Sequence, residues 1–136
     1  MLLRTLAVML AAVGLLSSQA GPQVKKTTAS STSPASGKEM YLHYCASCHG
    51  AGGKGDGPAA RAMKTSPADL TRLAATNSGK FPDLKIARVI EGSDDLAAHG
   101  SRDMPTWGDV FHQMHPATAK LRIANLTEYL QSIQGK

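Results

Sequence analysis

The chain has 136 residues, room for one folded domain and little more. Its 15 Lys and Arg against 10 Asp and Glu give a formal charge of +5, a mild excess compatible with an acidic partner. Nucleic-acid binding is excluded as a leading reading, because it needs basic residues gathered in a run or on one face, and Lys25-Lys26 is the only adjacent basic pair.

In chain order, residues 1–20 read as a secretory signal peptide. Arg4 supplies a positive start, Leu6 to Leu16 is an unbroken run of apolar and small residues, and Ser18-Gln19-Ala20 has the small-x-small pattern of a cleavage site. The run is about 11 residues, whereas a bilayer span takes about 20. Left uncleaved, the leader would be the one membrane association the sequence offers. Residues 21–36 are rich in Ser, Thr, Ala and Pro and nearly free of large apolar side chains, so they read as a flexible linker. The folded domain is expected over residues 37–136.

Ser36 can cap a helix, with Glu39 as the reciprocal partner three residues on. That helix is expected from Gly37 to about Ala46, with Met40, Tyr41 and Tyr44 as its apolar stripe. Gly37 weakens a helix, so it predicts the close approach of another helix. At its end stands Cys45-Ala46-Ser47-Cys48-His49, a C-x-x-C-H haem-attachment signature. Two thiols at this spacing can add across the two vinyl groups of one haem, and the next residue then offers its imidazole to the iron. A redox dithiol needs no histidine there, and a zinc site needs four ligands. The chain has no other cysteine. Export agrees with this reading, since covalent haem attachment in bacteria takes place outside the cytoplasm, and a bound haem would supply apolar bulk to a chain with one Trp, three Tyr and two Phe.

The stretch from Gly50 to Pro58 contains G-x-G-x-x-G, but no strand precedes it, so the dinucleotide reading is set aside. A loop wrapping the proximal side of the haem explains the glycines better. The Pro58 carbonyl is expected to accept from Nδ1–H of His49, fixing the imidazole tautomer. Ser66-Pro67-Ala68-Asp69-Leu70 reads as a helix start with Ser66 as cap, running to about Ala75. Asp83 to Glu91 reads as a helix with Leu84, Ala87, Val89 and Ile90 on one side and Gly92 as its stop. Residues 92–105 are expected as a loop carrying Asp94, Asp95, His99 and Met104. Pro116 can open a last helix to about Gln134, with Leu126, Tyr129, Leu130 and Ile133 on its apolar face. Nothing alternates with period two for long, so no significant sheet is expected.

Over roughly residues 37–134 the chain resembles the class I c-type cytochromes. Gly37 and Tyr41, eight and four positions before Cys45, match the small and aromatic positions of that family's first helix. Leu126 and Tyr129 match the apolar-aromatic pair of its last helix. Met104-Pro105 with Trp107-Gly108 is similar to its distal methionine loop, and His49 to Pro58 to its proximal loop. The resemblance implies an all-α cytochrome c fold, four to five short helices wrapped around one covalently attached haem c, with His/Met ligation and one-electron transfer. The Gly-Lys-Gly-Asp-Gly-Pro and Ser-Arg-Asp-Met-Pro-Thr-Trp-Gly stretches resemble the small single-haem bacterial members.

For the sixth ligand Met104 is the choice. Its soft, uncharged sulfur suits a low-spin iron and raises the reduction potential, and it lies about 55 residues after His49, far enough to return over the opposite haem face. Met114 is the alternate methionine and His99 the alternate histidine. Met63 is read as packing or exposed, His112 and His115 as solvated or capping, and His43 as exposed. Trp107 has two readings, an N–H donor to a haem propionate or packing against the haem edge. Arg102 is a further propionate candidate. The expected function is a periplasmic, non-enzymatic single-haem electron carrier, passing electrons between protein redox partners such as a membrane oxidoreductase or a terminal oxidase or reductase. The alternatives are an open-site haem enzyme or gas sensor, and a tethered cytochrome subunit of a membrane oxidoreductase.

Overall fold

The computed structural model describes residues 32–93 and 104–135. The leader, all of the linker before Thr32, and Asp94, Asp95, His99 and Arg102 lie outside the described residues. The elements are α1 (Gly37–Met40), a π-turn (Tyr41–Cys45), α2 (Ala46–His49), α3 (Asp83–Glu91), α4 (Trp107–Met114) and α5 (Ala119–Ser132). Short 3-10 turns lie at Ala60–Ala62, Leu70–Arg72, Ala75–Asn77 and Pro116–Thr118. No strand occurs among the described residues, so the all-α expectation holds.

α1, the π-turn and α2 follow one another without a break, so the first helical run ends at His49 rather than at Ala46. Ser36 caps it as expected, its Oγ accepting from the Glu39 N–H at 3.2 Å. The Ser36 N–H instead bonds the Ser33 carbonyl at 3.2 Å, which leaves Glu39 no reciprocal role there. Within the π-turn the Ala46 N–H reaches back five residues to the Tyr41 carbonyl. Gly50, at φ 76°, ends the run.

The stripe Met40, Tyr41 and Tyr44 is buried, together with Phe81, Ile90, Phe111, Ile123, Leu126 and Leu130. Burying one such large apolar side chain contributes about 1.5–3 kcal/mol. The first helix and α5 meet where Gly37 predicts. A Cβ at Gly37 would collide with the Asn125 carbonyl oxygen and lie 2.9 Å from Tyr129 Cβ. Tyr41 packs on Tyr129 there, ring centroids 5.2 Å apart.

Four expectations are corrected. The folded part begins by Thr32, not at Gly37. Thr32 is 3% exposed, Arg122 Nη2 donates to its carbonyl at 2.9 Å, and Asn125 Nδ2 donates to the Pro34 carbonyl at 2.7 Å. Small polar residues are held here by hydrogen bonds to α5, which their lack of apolar bulk does not prevent. No helix starts at Ser66. Asp69 is the cap, accepting from the Thr71 N–H at 2.9 Å, and opens only the turn Leu70–Arg72. The next segment is tied down by Gln134, whose Oε1 accepts from the Ala74 N–H at 2.9 Å and whose Nε2 donates to the Leu70 carbonyl at 2.7 Å. α3 has the expected bounds and its Gly92 stop, but Leu84 is 72% exposed rather than on the inner face. Finally, α4 lies between the expected loop, which ended at Pro105, and the helix expected from Pro116, where no element was expected. It buries Phe111 and half-buries Trp107, Val110 and Met114.

Candidate functional site

The π-turn and α2 present Cys45, Cys48 and His49 to a cavity of about 340 Å³, within the roughly 300–1,000 Å³ usual for ligand pockets. Met63 and the stretch Thr65 to Ala68 form a second wall, Ile86, Val89 and Ile90 of α3 a third, and Leu126 and Leu130 of α5 a fourth. Tyr44, Leu70, Leu73, Met104, Pro105 and Trp107 complete the lining. Residues from Cys45 to Leu130 thus converge, and the walls between the sulfurs and the imidazole are mostly apolar.

His49 is oriented by backbone. Its Nδ1 lies 3.1 Å from the Ala68 carbonyl. With the proton on Nδ1 the ring donates there and leaves Nε2 as a lone-pair ligand. The acceptor is therefore Ala68 and not Pro58, and the reason lies in the glycine loop. The carbonyls at the end of α2 have no helical partners, and the loop supplies them. Gly55 N–H donates to His49 at 2.8 Å, Gly57 N–H to Cys48 at 3.1 Å, and Ala59 N–H to Ser47 at 2.9 Å. This draws the loop back along the helix end and leaves Pro58 exposed, outside the cavity lining. Gly57 is needed for the approach: a Cβ there would strike the Ala46 and Ser47 carbonyl oxygens. The chain then returns, Leu70 N–H donating to the Gly53 carbonyl at 2.7 Å, and brings Ala68 to the imidazole.

Asp69 steadies that return. Its carboxylate accepts from Thr71 Oγ1 at 2.6 Å as well as from the Thr71 N–H. These two hydrogen bonds hold its pKa below the ordinary 3.8. On the other side of α2, Tyr41 OH donates to the Gly50 carbonyl at 2.6 Å. Burial, then the neighbouring Cys45, Tyr129 and Asp56, raise the phenol to about 12. Cys45 and Cys48 are free thiols. Burial first and then Cys48 push the Cys45 thiol up to about 12.

Of the rival ligands, Met63 lines the cavity, contrary to expectation, while Met114 packs on the buried core and is not among the described lining residues. His43, His112 and His115 are exposed. Trp107 lies against Tyr44 and Phe111, with centroids at 5.4 and 5.8 Å, and also lines the cavity. His99 and Arg102 lie outside the described residues. One residue that sequence reasoning missed, Ala68, and one that it set aside, Met63, matter here. Ala68 carries no side-chain signal because it acts through its carbonyl. Met63 could have been found only from the fold of its loop.

The donor set fits a covalently held haem: two free thiols with two residues between them, an imidazole with Nδ1 engaged, methionine sulfurs, and apolar walls. Among the described residues no group of three or more His, Cys, Asp or Glu could hold a simple metal ion, and no helix is long and apolar enough to cross a membrane.

No curated protein and no solved structure matches the chain. Residues 32–120, well over half of its length, match the model of the family described as cytochrome c oxidase, cbb3-type, subunit III. The match takes in Thr32, which is buried against α5, and spans the cysteines, His49, Met104 and α4. The chain belongs to that family and carries a c-type cytochrome domain, whose cofactor is covalently bound haem c and whose chemistry is haem-based electron transfer.

Proposed function

We propose that the chain is a single-haem electron carrier working in the periplasm, passing one electron at a time between protein redox partners, and not itself an enzyme. The observation that carries this reading is the convergence of Cys45, Cys48, His49 and Met104 on one cavity whose imidazole is already oriented by Ala68. Cys45 and Cys48 would hold the haem through two thioethers, with His49 Nε2 and the Met104 sulfur as axial ligands. When bound, that group supplies the Fe(II)/Fe(III) couple. His49 would donate its Nδ1–H to the Ala68 carbonyl, leaving Nε2 for the iron, and the apolar walls exclude water. Trp107 lines the cavity, where its ring N–H would donate to a propionate. A filled coordination sphere leaves substrate nowhere to bind, which is why an enzyme or gas sensor is the weaker reading. One C-x-x-C-H motif and two cysteines in the whole chain support a single haem.

The test is the oxidised optical spectrum of protein matured in a periplasm, after haem is found to survive denaturing electrophoresis. A low-spin spectrum with the weak far-red sulfur-to-iron band is expected. A high-spin spectrum with rapid, tight carbon monoxide binding on reduction would overturn the carrier in favour of an open site. A low-spin spectrum without the band would remove methionine from the iron.

A second reading is favoured by the family description: a cytochrome subunit docked on a cbb3-type oxidase, with the residues before Thr32 as its tether. The chemistry is the same. Co-purification with a membrane oxidase would support it, and quantitative release as a free monomer would count against it.

A further inference from the structure

Arg122 is a fully buried cation that neither the motif nor the cavity accounts for. It lies on α5, 2% exposed. Nη1 donates to Thr32 Oγ1 at 3.0 Å and lies 3.6 Å from the Met40 sulfur. Nη2 donates to the Thr32 carbonyl at 2.9 Å, and Nε has no acceptor. Every one of these partners is neutral. A guanidinium does not shed its proton in a protein, so a full positive charge is held here with no carboxylate against it among the described residues. Such burial is costly, and a well-packed apolar side chain of similar size would often be as stable or more so.

Its surroundings connect it to the cavity. The guanidinium carbon stands 5.9 Å from the centroid of the Phe111 ring, a cation–π distance. Phe111 in turn touches Tyr44 and Trp107, with centroids at 5.5 and 5.8 Å, and both of those rings line the cavity. Phe111, and then the Tyr44 and Trp107 rings, separate the charge from the site. Thr32 also ties the charge to the wall, its Oγ1 lying 3.0 Å from the Tyr44 hydroxyl.

We infer that Arg122 is an electrostatic determinant of the redox equilibrium at this site, holding an uncompensated positive charge behind the aromatic wall so that the reduced state is favoured. The inference rests on the haem reading above. Taking up one electron from an external one-electron donor lowers the charge of the iron–porphyrin unit by one, with no bond made or broken. A fixed positive charge in a low-dielectric interior favours the state of lower positive charge. Thr32 is the positioning residue, because its hydroxyl and carbonyl hold the guanidinium in place.

The experiment is a spectroelectrochemical titration of the haem-loaded full chain with soluble mediators. At a fixed ambient potential Arg122→Met should lower the reduced-to-oxidised ratio roughly three- to tenfold, a unit charge acting through an effective dielectric of about 20. The gap should persist at high salt, since a buried charge is poorly screened. Arg122→Lys keeps the charge and should stay within about twofold of the parent ratio even if its thermal midpoint falls. Should Arg122→Met fail to fold, Arg122→Gln removes the charge while keeping an N–H donor toward Thr32, and the same loss is expected. A parent-like ratio in Arg122→Met or Arg122→Gln would overturn the inference, as would an equal shift in Arg122→Lys, which would mark a packing effect. Parent protein without covalent haem on a denaturing gel would overturn the haem reading first and this inference with it.

Discussion

The two sides of the cavity are built by different physics. The side bearing Cys45, Cys48 and His49 is a hydrogen-bonded frame. Loop N–H groups of Gly55, Gly57 and Ala59 meet the carbonyls that α2 leaves open, and the Ala68 carbonyl holds the imidazole. The side bearing Met104 and Trp107 is a stack of rings, Tyr44, Trp107 and Phe111, with Arg122 behind it. Backbone hydrogen bonds set direction within narrow limits. Ring packing sets position by volume and tolerates small shifts. The imidazole is thus oriented by a backbone carbonyl, whereas Trp107 is placed by the packing of its ring.

Breaking the framed side should do the most damage. His49→Ala is expected to abolish the stable low-spin haem spectrum altogether. On the packed side, Met104→Ala should keep covalent haem on a denaturing gel but open the sixth position, read as a high-spin shift and carbon monoxide binding. An unchanged oxidised spectrum would transfer the ligand role, and Met63 is then the variant to make, since it lines the cavity and Met114 does not.

Smaller perturbations sharpen the contrast. Gly57→Ala drives a methyl into backbone carbonyls of α2 and should cost about 3 kcal/mol in denaturant unfolding, the upper part of the range for overpacking. Tyr41→Phe leaves the buried Gly50 carbonyl without its donor and should cost about 1–3 kcal/mol. The same residue has a pH signature. Its folded pKa is raised to about 12 from 10.0, so its contribution is complete below pH 10 and is lost as pH rises toward 12. The phenylalanine variant should lack that part of the alkaline fall in thermal midpoint. The smallest effect belongs to Asp69. Its folded pKa is lowered from 3.8, so its contribution is present above that value and is lost as pH falls below it. Amide exchange at Thr71 should quicken there, and Asp69→Asn should flatten the change.

What was legible in the sequence is what is local. C-x-x-C-H is a covalent spacing, so its reading needs no fold. Met40, Tyr41 and Tyr44 announce their face by helical period, and Gly37 its crossing by the lack of a Cβ. Asp83 to Glu91 carries both its period and its stop. α4 was missed because Thr106 provides no side-chain cap hydrogen bond and the resemblance drew Trp107-Gly108 into a loop. Ser66-Pro67 has the letters of a helix start, yet a cap competes with every other bond its segment can make. Here Leu70 bonds to Gly53 and Asp69 to Thr71 instead.

By itself, then, the sequence determined the helical class of the chain and carried the motif on which the haem proposal for Cys45, Cys48 and His49 rests, because helical period and covalent spacing are properties of neighbouring residues. Only the tertiary structure decided that Ala68 rather than Pro58 orients His49, that Met63 shares the cavity with Met104, and that Thr32 belongs to the domain through Arg122. Each of these is a meeting of backbone or side-chain groups far apart in the chain, and the pairing follows from where the loops close rather than from any residue's own preference.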